Sequence, residues 1–182
     1  MKELVAEVLR SGEEDALLDE IMMTYGQDIL QLVYSYVKNL PLAEDLTQEI
    51  FVKCYQALPR YRGEAKIRTW LWRIAINHCK DYLKSWYYRQ VELNAGNYAN
   101  CQAVDHVEQD IIQKDEDKVL SDAVMNLPVK YREVIYLYYF QELTIKEMAE
   151  MTGNSQSTIK TRMRRAKHIL KNSLEGTAWK ID

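Results

Sequence analysis

Apolar residues recur three and four positions apart through most of this chain. Leu17, Leu18, Ile21 and Met22 begin one such series, which Ile29, Leu32, Val33, Tyr36 and Val37 continue. Ala43, Leu46, Ile50, Phe51, Cys54 and Leu58 form a second, and Trp70, Leu71, Ile74, Ala75, Cys79, Tyr82 and Leu83 a third. That spacing is the period of an amphipathic helix. No stretch alternates with period two for long enough to make a strand, and no Asn-Gly or Asp-Gly hairpin turn occurs. The pattern predicts an all-α fold. It breaks at Asn39-Leu40-Pro41, from Leu58-Pro59 through Gly63, and across residues 89–118, where Asn94, Gly96, Asn97 and Asn100 precede an acidic run. Two small helical domains, 1–88 and 119–182, are therefore expected on either side of a flexible linker, 89–118.

The second domain has the clearer local grammar. Thr144 can cap a helix by accepting from the amide of Glu147, whose carboxylate can reach back to the cap amide. Leu143 and Met148 flank this box as a hydrophobic staple, and Gly153 stands where a left-handed residue would end the helix. Ser155 offers a second cap. After it, Ile159, Met163, Ala166 and Leu170 keep one stripe, while Gln156, Ser157, Thr158, Lys160, Thr161, Arg162, Arg164, Arg165 and Lys167 occupy the other faces. A short helix, a tight glycine turn and a basic second helix predict a helix-turn-helix, whose second member enters the major groove. Arg and Lys suit guanine O6 and N7, Gln suits adenine, and Ser or Thr suits phosphate.

Composition narrows the class. The chain has 182 residues, three cysteines, three prolines and a net charge of −3. Cys54, Cys79 and Cys101 are odd in number and widely spaced, so no disulfide framework or paired-cysteine metal site is expected. The longest apolar run, Val134 to Phe140, is too short to cross a membrane and holds three tyrosines. Acids within the first ten residues argue against a signal peptide, and a reducing cytoplasm is the expected location.

Charge is unevenly placed. Residues 1–50 hold eleven acids against three bases, a balance of −8, whereas residues 60–89 hold eight bases against two acids, a balance of +6. Residues 155–171 carry six bases and no acid. Polyanion contact is thus expected at two separate blocks of a mildly acidic chain. The first block interleaves Arg68, Arg73, Lys80, Lys84 and Arg89 with Trp70, Trp72, Tyr82, Trp86, Tyr87 and Tyr88, after the loop Arg60 to Ile67. Aromatic faces stack on unpaired bases while cations follow the backbone, a mixture suited to single-stranded nucleic acid. Spacing turns Trp70 and Leu71 inward. No phosphate loop, dinucleotide fingerprint or H-E-x-x-H zinc motif occurs, so an enzyme is not expected, and no metal or cofactor is indicated. His78 and Asp81 cannot converge with Cys79, which belongs to the apolar stripe. His106 and His168 read as a linker residue and a helix-surface residue.

The segments Ala43 to Phe51, Thr69 to Asn77 and Asp81 to Lys84 resemble region 2 of the bacterial extracytoplasmic-function sigma factors. Leu127 to Ile135, Glu142 to Glu150 and Ser157 to Ala166 resemble their region 4, in the same order along the chain. The resemblance implies a bacterial alternative sigma factor that binds core RNA polymerase and directs promoter-specific initiation without catalysing it. It implies that Asp45, Gln48 and Glu49 dock on core polymerase. Tyr61, Arg62, Lys66, Ile67 and Arg68, with Arg73, Asn77, Lys80 and Lys84, would bind the unwound minus-10 element, and residues Ser155 to Lys167 would read the minus-35 duplex. It further implies a linker threaded toward the polymerase channels, where the acids Asp115, Glu116 and Asp117 would hold a nucleic-acid path; a solvated tether fits the same composition. An anti-sigma factor is the implied regulator, and no membrane insertion of this chain is expected. Asn154, Ser157 and Lys84 depart from the family pattern, and Lys84 lacks the planar fork of arginine. The alternative from another class is a stand-alone helix-turn-helix regulator, which would bind palindromic half-sites without polymerase.

Overall fold

The computed structural model describes the backbone of residues 14–94 and 115–175, and the side chains of 14–87 and 118–174. The described residues are helical, with no strand among them. Helices α1 (Glu14–Val37), α2 (Leu40–Ala57) and α3 (Ile67–Asn94) make the first unit, with one 3₁₀ turn, Leu58–Arg60, after α2. Helices α4 (Asp115–Met125), α5 (Val129–Ile135), α6 (Ile145–Thr152) and α7 (Gln156–Glu175) make the second. Residues 95–114, and with them Cys101, His106 and most of the expected linker, lie outside the described residues, as does the amino-terminal segment weighed as a signal peptide. Helix α3 continues to Asn94, and α4 already begins at Asp115.

The breaks come where the local chemistry puts them. Lys38, in the left-handed region at φ 56°, stops α1. Asn39 then caps α2 through its Oδ1, which accepts from the Leu42 amide at 2.9 Å, and Pro41 sits in the first turn, where a missing N–H costs nothing. The three apolar series meet in one core. Leu17, Ile29, Leu32, Val33, Leu46, Ile50, Cys54, Leu71, Ala75 and Cys79 are buried. Within the aromatic block the order of burial differs from the expectation. Trp72 is fully buried, edge-on to Tyr25 with centroids 5.5 Å apart, whereas Trp70 is half-buried against Tyr61. The period assigned the stripe correctly but not its width: α3 is covered on two sides, by the first unit and by the second.

In the second unit the capping box is complete: the Glu147 amide donates to the Thr144 hydroxyl, and the Thr144 amide donates to the Glu147 carboxylate at 3.0 Å. Leu143 and Met148 are buried beside it. Gly153 closes α6 at φ 71°, a conformation a side chain would strain. Between α5 and α6 the chain widens into one π turn, Tyr136–Phe140, closed by the Gln141 amide on the Tyr136 carbonyl at 3.2 Å. This extra residue turns Tyr136 and Leu137 inward and leaves Tyr138, Tyr139 and Phe140 exposed. The two units touch, α3 lying against α6 and α1 against α5.

Candidate nucleic-acid interface

Helix α7 is amphipathic as its sequence requires. Ile159, Met163 and Ala166 are buried, and Gln156, Ser157, Lys160, Thr161, Arg164, Arg165 and Lys167 are exposed. Ser155 caps it, accepting from the Thr158 amide at 3.1 Å. The Ser155 hydroxyl also lies 2.9 Å from the hydroxyls of Ser157 and Thr158, so these three form a small polar cluster at the helix start. Arg162 is the exception among the cations. It is half-buried, and its guanidinium lies 3.4 Å from the Glu133 carboxylate. A shallow basin runs between α5 and α7, lined by Lys130, Tyr131, Ser157, Thr161, Arg162 and Arg165. Hydrogen bonding from Arg165, with help from Lys130, holds the Tyr131 phenol below its usual range. Lys130 and Tyr131 carry no signal in the sequence, because periodicity does not reveal which face of a seven-residue helix borders α7.

The residues expected at the first basic block separate into three groups. Arg62, Lys66, Asn77 and Lys84 are exposed, and Lys84 has the loose i,i+3 company of Asp81 at 3.7 Å. Tyr61 is half-buried and donates its hydroxyl to the Ala65 carbonyl, which fixes the loop between the 3₁₀ turn and α3. Ile67 is buried in the core, so it anchors that loop rather than facing a ligand. Arg68, Arg73 and Lys80 are engaged with the second unit. An Arg68 guanidinium nitrogen donates to the Gln141 carbonyl at 3.0 Å and to its side-chain oxygen at 2.9 Å. The Arg73 Nε donates to the Glu150 carbonyl at 2.8 Å, and Lys80 donates to the Thr152 carbonyl at 3.3 Å. Trp86 and Tyr87 are exposed on the same helix.

On α2, Asp45, Gln48 and Glu49 form an exposed ridge away from Leu46, Ile50 and Cys54. Val52 and Tyr55 extend that ridge one turn further and are exposed as well. Behind it, His78 is buried on α3. Lys53 Nζ lies 2.7 Å from His78 Nδ1, and His78 Nε2 lies 3.0 Å from Glu49. An ammonium can only donate, so Nδ1 accepts and the ring proton sits on Nε2, which lies near the carboxylate without a hydrogen bond to it. Burial and then the Lys53 charge hold His78 below the ordinary histidine range, against the pull of Glu49. The unfolded chain therefore takes up a proton that the native state refuses, in the window from about pH 6.5 down to the lowered native value. His78 is expected to cost stability as pH falls through that window and to contribute no slope above it. Unfolding midpoints in urea at pH 7 and pH 5.5 test this: His78→Gln should fall less between the two than the parent chain does. Burial likewise raises the thiols of Cys54 and Cys79 to about 12, which makes them inert core residues.

Two sequence-family profiles match the chain: Sigma-70 region 2 over residues 21–86, and Sigma-70 region 4 over residues 118–170. The ECF RNA polymerase sigma factor SigW of Bacillus subtilis is 32% identical, with 91% of this chain and 92% of that protein covered. The chain belongs to the extracytoplasmic-function sigma factors. SigV of Bacillus subtilis is 30% identical over 87% of this chain and 92% of its own. Solved structures agree in fold. The sigma factor RpoE of Bartonella quintana, crystallised with the anti-sigma factor NepR, superposes with a TM-score of 0.70 at 19% identity, covering 86% of this chain and 96% of that one. CnrH, in complex with the cytosolic domain of CnrY, gives 0.67 at 22% identity, covering 96% and 97%. As a sigma factor, the protein joins core RNA polymerase and directs promoter-specific initiation; the polymerase performs the chemistry. That identity sets aside the stand-alone regulator. No described helix is long and apolar enough to cross a membrane.

Proposed function

We propose a division of labour along this sigma factor in which three faces take three partners. The ridge of Asp45, Gln48 and Glu49 docks on core polymerase. The loop from Tyr61 to Lys66, with Arg68, Arg73, Asn77, Lys80 and Lys84, holds the opened minus-10 strand, for which exposed Trp86 and Tyr87 offer stacking faces. The outer face of α7, from Ser155 to Lys167, reads the minus-35 duplex, with Lys130 and Tyr131 beside it on the basin wall. Residues 1–88, 89–118 and 119–182 are then the minus-10 domain, the linker and the minus-35 domain, and the protein acts in the cytoplasm. The sigma factor RpoE of the same fold was crystallised with the anti-sigma factor NepR, and an anti-sigma factor is the regulator proposed for this chain also.

The observation that carries the reading is the separation of chemistry on rigid elements: α7 buries Ile159, Met163 and Ala166 and so must present its cations outward, while the exposed cations of α3 lie among aromatics. Run-off transcription with core polymerase over a panel of promoter variants tests it. Arg165→Ala is expected to relax discrimination among upstream duplex sequences by about 1–3 kcal/mol where it contacts a base. Lys84→Ala is expected to weaken all promoters evenly and to lower the salt dependence. Equal losses on every promoter from both changes would remove the proposed division.

A further inference from the structure

Lys53 stands one turn beyond Glu49 on α2, with the carboxylate on the N-terminal side, the i,i+4 order that favours a direct ion pair on an exposed helix face. That pair does not form. Among the described residues Lys53 makes no ion pair, and its Nζ lies instead 2.7 Å from Nδ1 of His78 on α3. The His78 ring is turned toward α2: its side chain is 9% exposed, and Nε2 lies 3.0 Å from the carboxylate of Glu49, whose own side chain is 60% exposed. The proton on Nε2 is buried and has no hydrogen-bond partner. The histidine therefore takes the ammonium that Glu49 would otherwise hold and returns no hydrogen bond to the carboxylate. This arrangement depends on the charge of the ring. A proton on Nδ1 removes the one acceptor that a neutral imidazole has, and imidazolium donates from both nitrogens. Ring and ammonium then become like charges in contact, and Lys53, exposed and on a flexible stem, is the group that moves. Once released it has Glu49 as its helical neighbour, while the charged ring adds a second cation beside the same carboxylate.

We propose that His78 is a positioning residue for polymerase docking, whose neutral ring withholds Lys53 from Glu49 and so keeps the α2 ridge anionic. The inference rests on the reading of that ridge as the face that meets core polymerase. The charged groups facing the ring are Lys53 and Glu49 from α2 and Asp81, one turn further along α3. Burial, then Lys53, disfavour the charged ring, while Glu49 and Asp81 favour it. The balance leaves the ring neutral at pH 7, and protonation begins only below about pH 6.5. Docking and protonation then compete, because a ridge that carries Lys53 and an imidazolium presents less negative charge to a basic partner. By linkage each lowers the affinity for the other by the same factor. Acid therefore loosens the sigma factor from core polymerase, and bound polymerase makes His78 harder to protonate.

Two measurements on the full chain test this. Ring NMR of the free protein follows the His78 titration, and fluorescence anisotropy gives its affinity for core polymerase at pH 7.5 and at the pH where the ring is protonated, at one ionic strength. The reference is His78→Gln, in which an amide oxygen can accept from Lys53 and no proton titrates, so that the polymerase's own titrations cancel. The parent is expected to lose about 3- to 10-fold more affinity on acidification than the reference does. Equal pH dependence of the two chains would overturn the proposal, as would a ring that stays neutral until the protein unfolds. At pH 7.5, His78→Leu frees Lys53 and should weaken docking by a similar factor, and adding Lys53→Met should restore it, since the cation to be withheld is gone. A deficit that persists in a cooperatively melting double variant would mean that His78 acts through packing alone. If His78→Leu fails to fold, the comparison with His78→Gln decides. Lys53→Met by itself should move the His78 midpoint upward in the free chain, and an unmoved midpoint would overturn the latch. Asp45→Lys separates the two readings. If that variant binds core polymerase as tightly as the parent, the docking face is misassigned, while the midpoint still reports whether His78 holds Lys53.

Discussion

Replacing Trp72 by alanine is expected to remove about 3–5 kcal/mol of unfolding free energy, enough to leave the first unit largely unfolded at 37 °C. Trp72 is among the largest fully buried side chains of the protein, and its loss would open a void between α3 and α1. Two neighbours would lose their partner. Tyr25 meets the ring edge-on, and the Arg68 guanidinium lies 5.2 Å from its centroid. The indole N–H, however, has no hydrogen-bond partner among the described residues. Phenylalanine gives up ring volume without orphaning a polar group, so Trp72→Phe should cost only about 1–2 kcal/mol. Thermal and urea melts of the three chains check both values. A small loss in Trp72→Ala would mean that the cavity collapses, and that α3 depends on the second unit for its placement more than on this core.

How far the sequence foresaw this arrangement depended on how local each cause is. The capping box at Thr144, the staple of Leu143 and Met148, the glycine stop at Gly153 and the Ser155 cap are all settled within a few residues, and each is legible before any tertiary contact. The apolar stripes of α1, α2 and α7 were equally legible, because the buried side chains of each keep the spacing that the sequence shows. Helix α3 was not, because it packs against both units. A single 3.6-residue stripe leaves Trp72 on the apparent outer face and cannot say that Arg68, Arg73 and Lys80 end on carbonyls more than seventy positions away. Glu133 escaped for the same reason. In sequence it is an acid in an ordinary amphipathic turn, and only the fold gives it Tyr36 and Lys80 as partners. The π turn at Tyr136–Phe140 read as part of a continuous apolar run, since one added residue leaves composition unchanged.

Charge reversal on the α2 ridge should produce the largest functional loss with the smallest structural one. Asp45 is exposed, so Asp45→Lys is expected to change stability by no more than about 0.5 kcal/mol. Glu49→Gln removes the charge 3.0 Å from the His78 ring and keeps the side-chain shape. If the ridge meets a basic surface on core polymerase, an interfacial charge pair contributes about 1.5–3 kcal/mol, so Asp45→Lys alone should weaken core binding by about 10- to 100-fold. The double substitution should weaken it at least a further several-fold. Val52 offers an independent check, since its exposed methyls continue the ridge and suit the dry centre of an interface. Val52→Asp should reduce affinity even at high salt, where screening has already weakened the charge effects. Fluorescence-anisotropy titration of labelled sigma factor with core polymerase, at low and high salt, separates these contributions. Retention of full affinity by Asp45→Lys at low salt would move the docking surface off α2 altogether, because no screening argument could then hide a reversed charge at its centre.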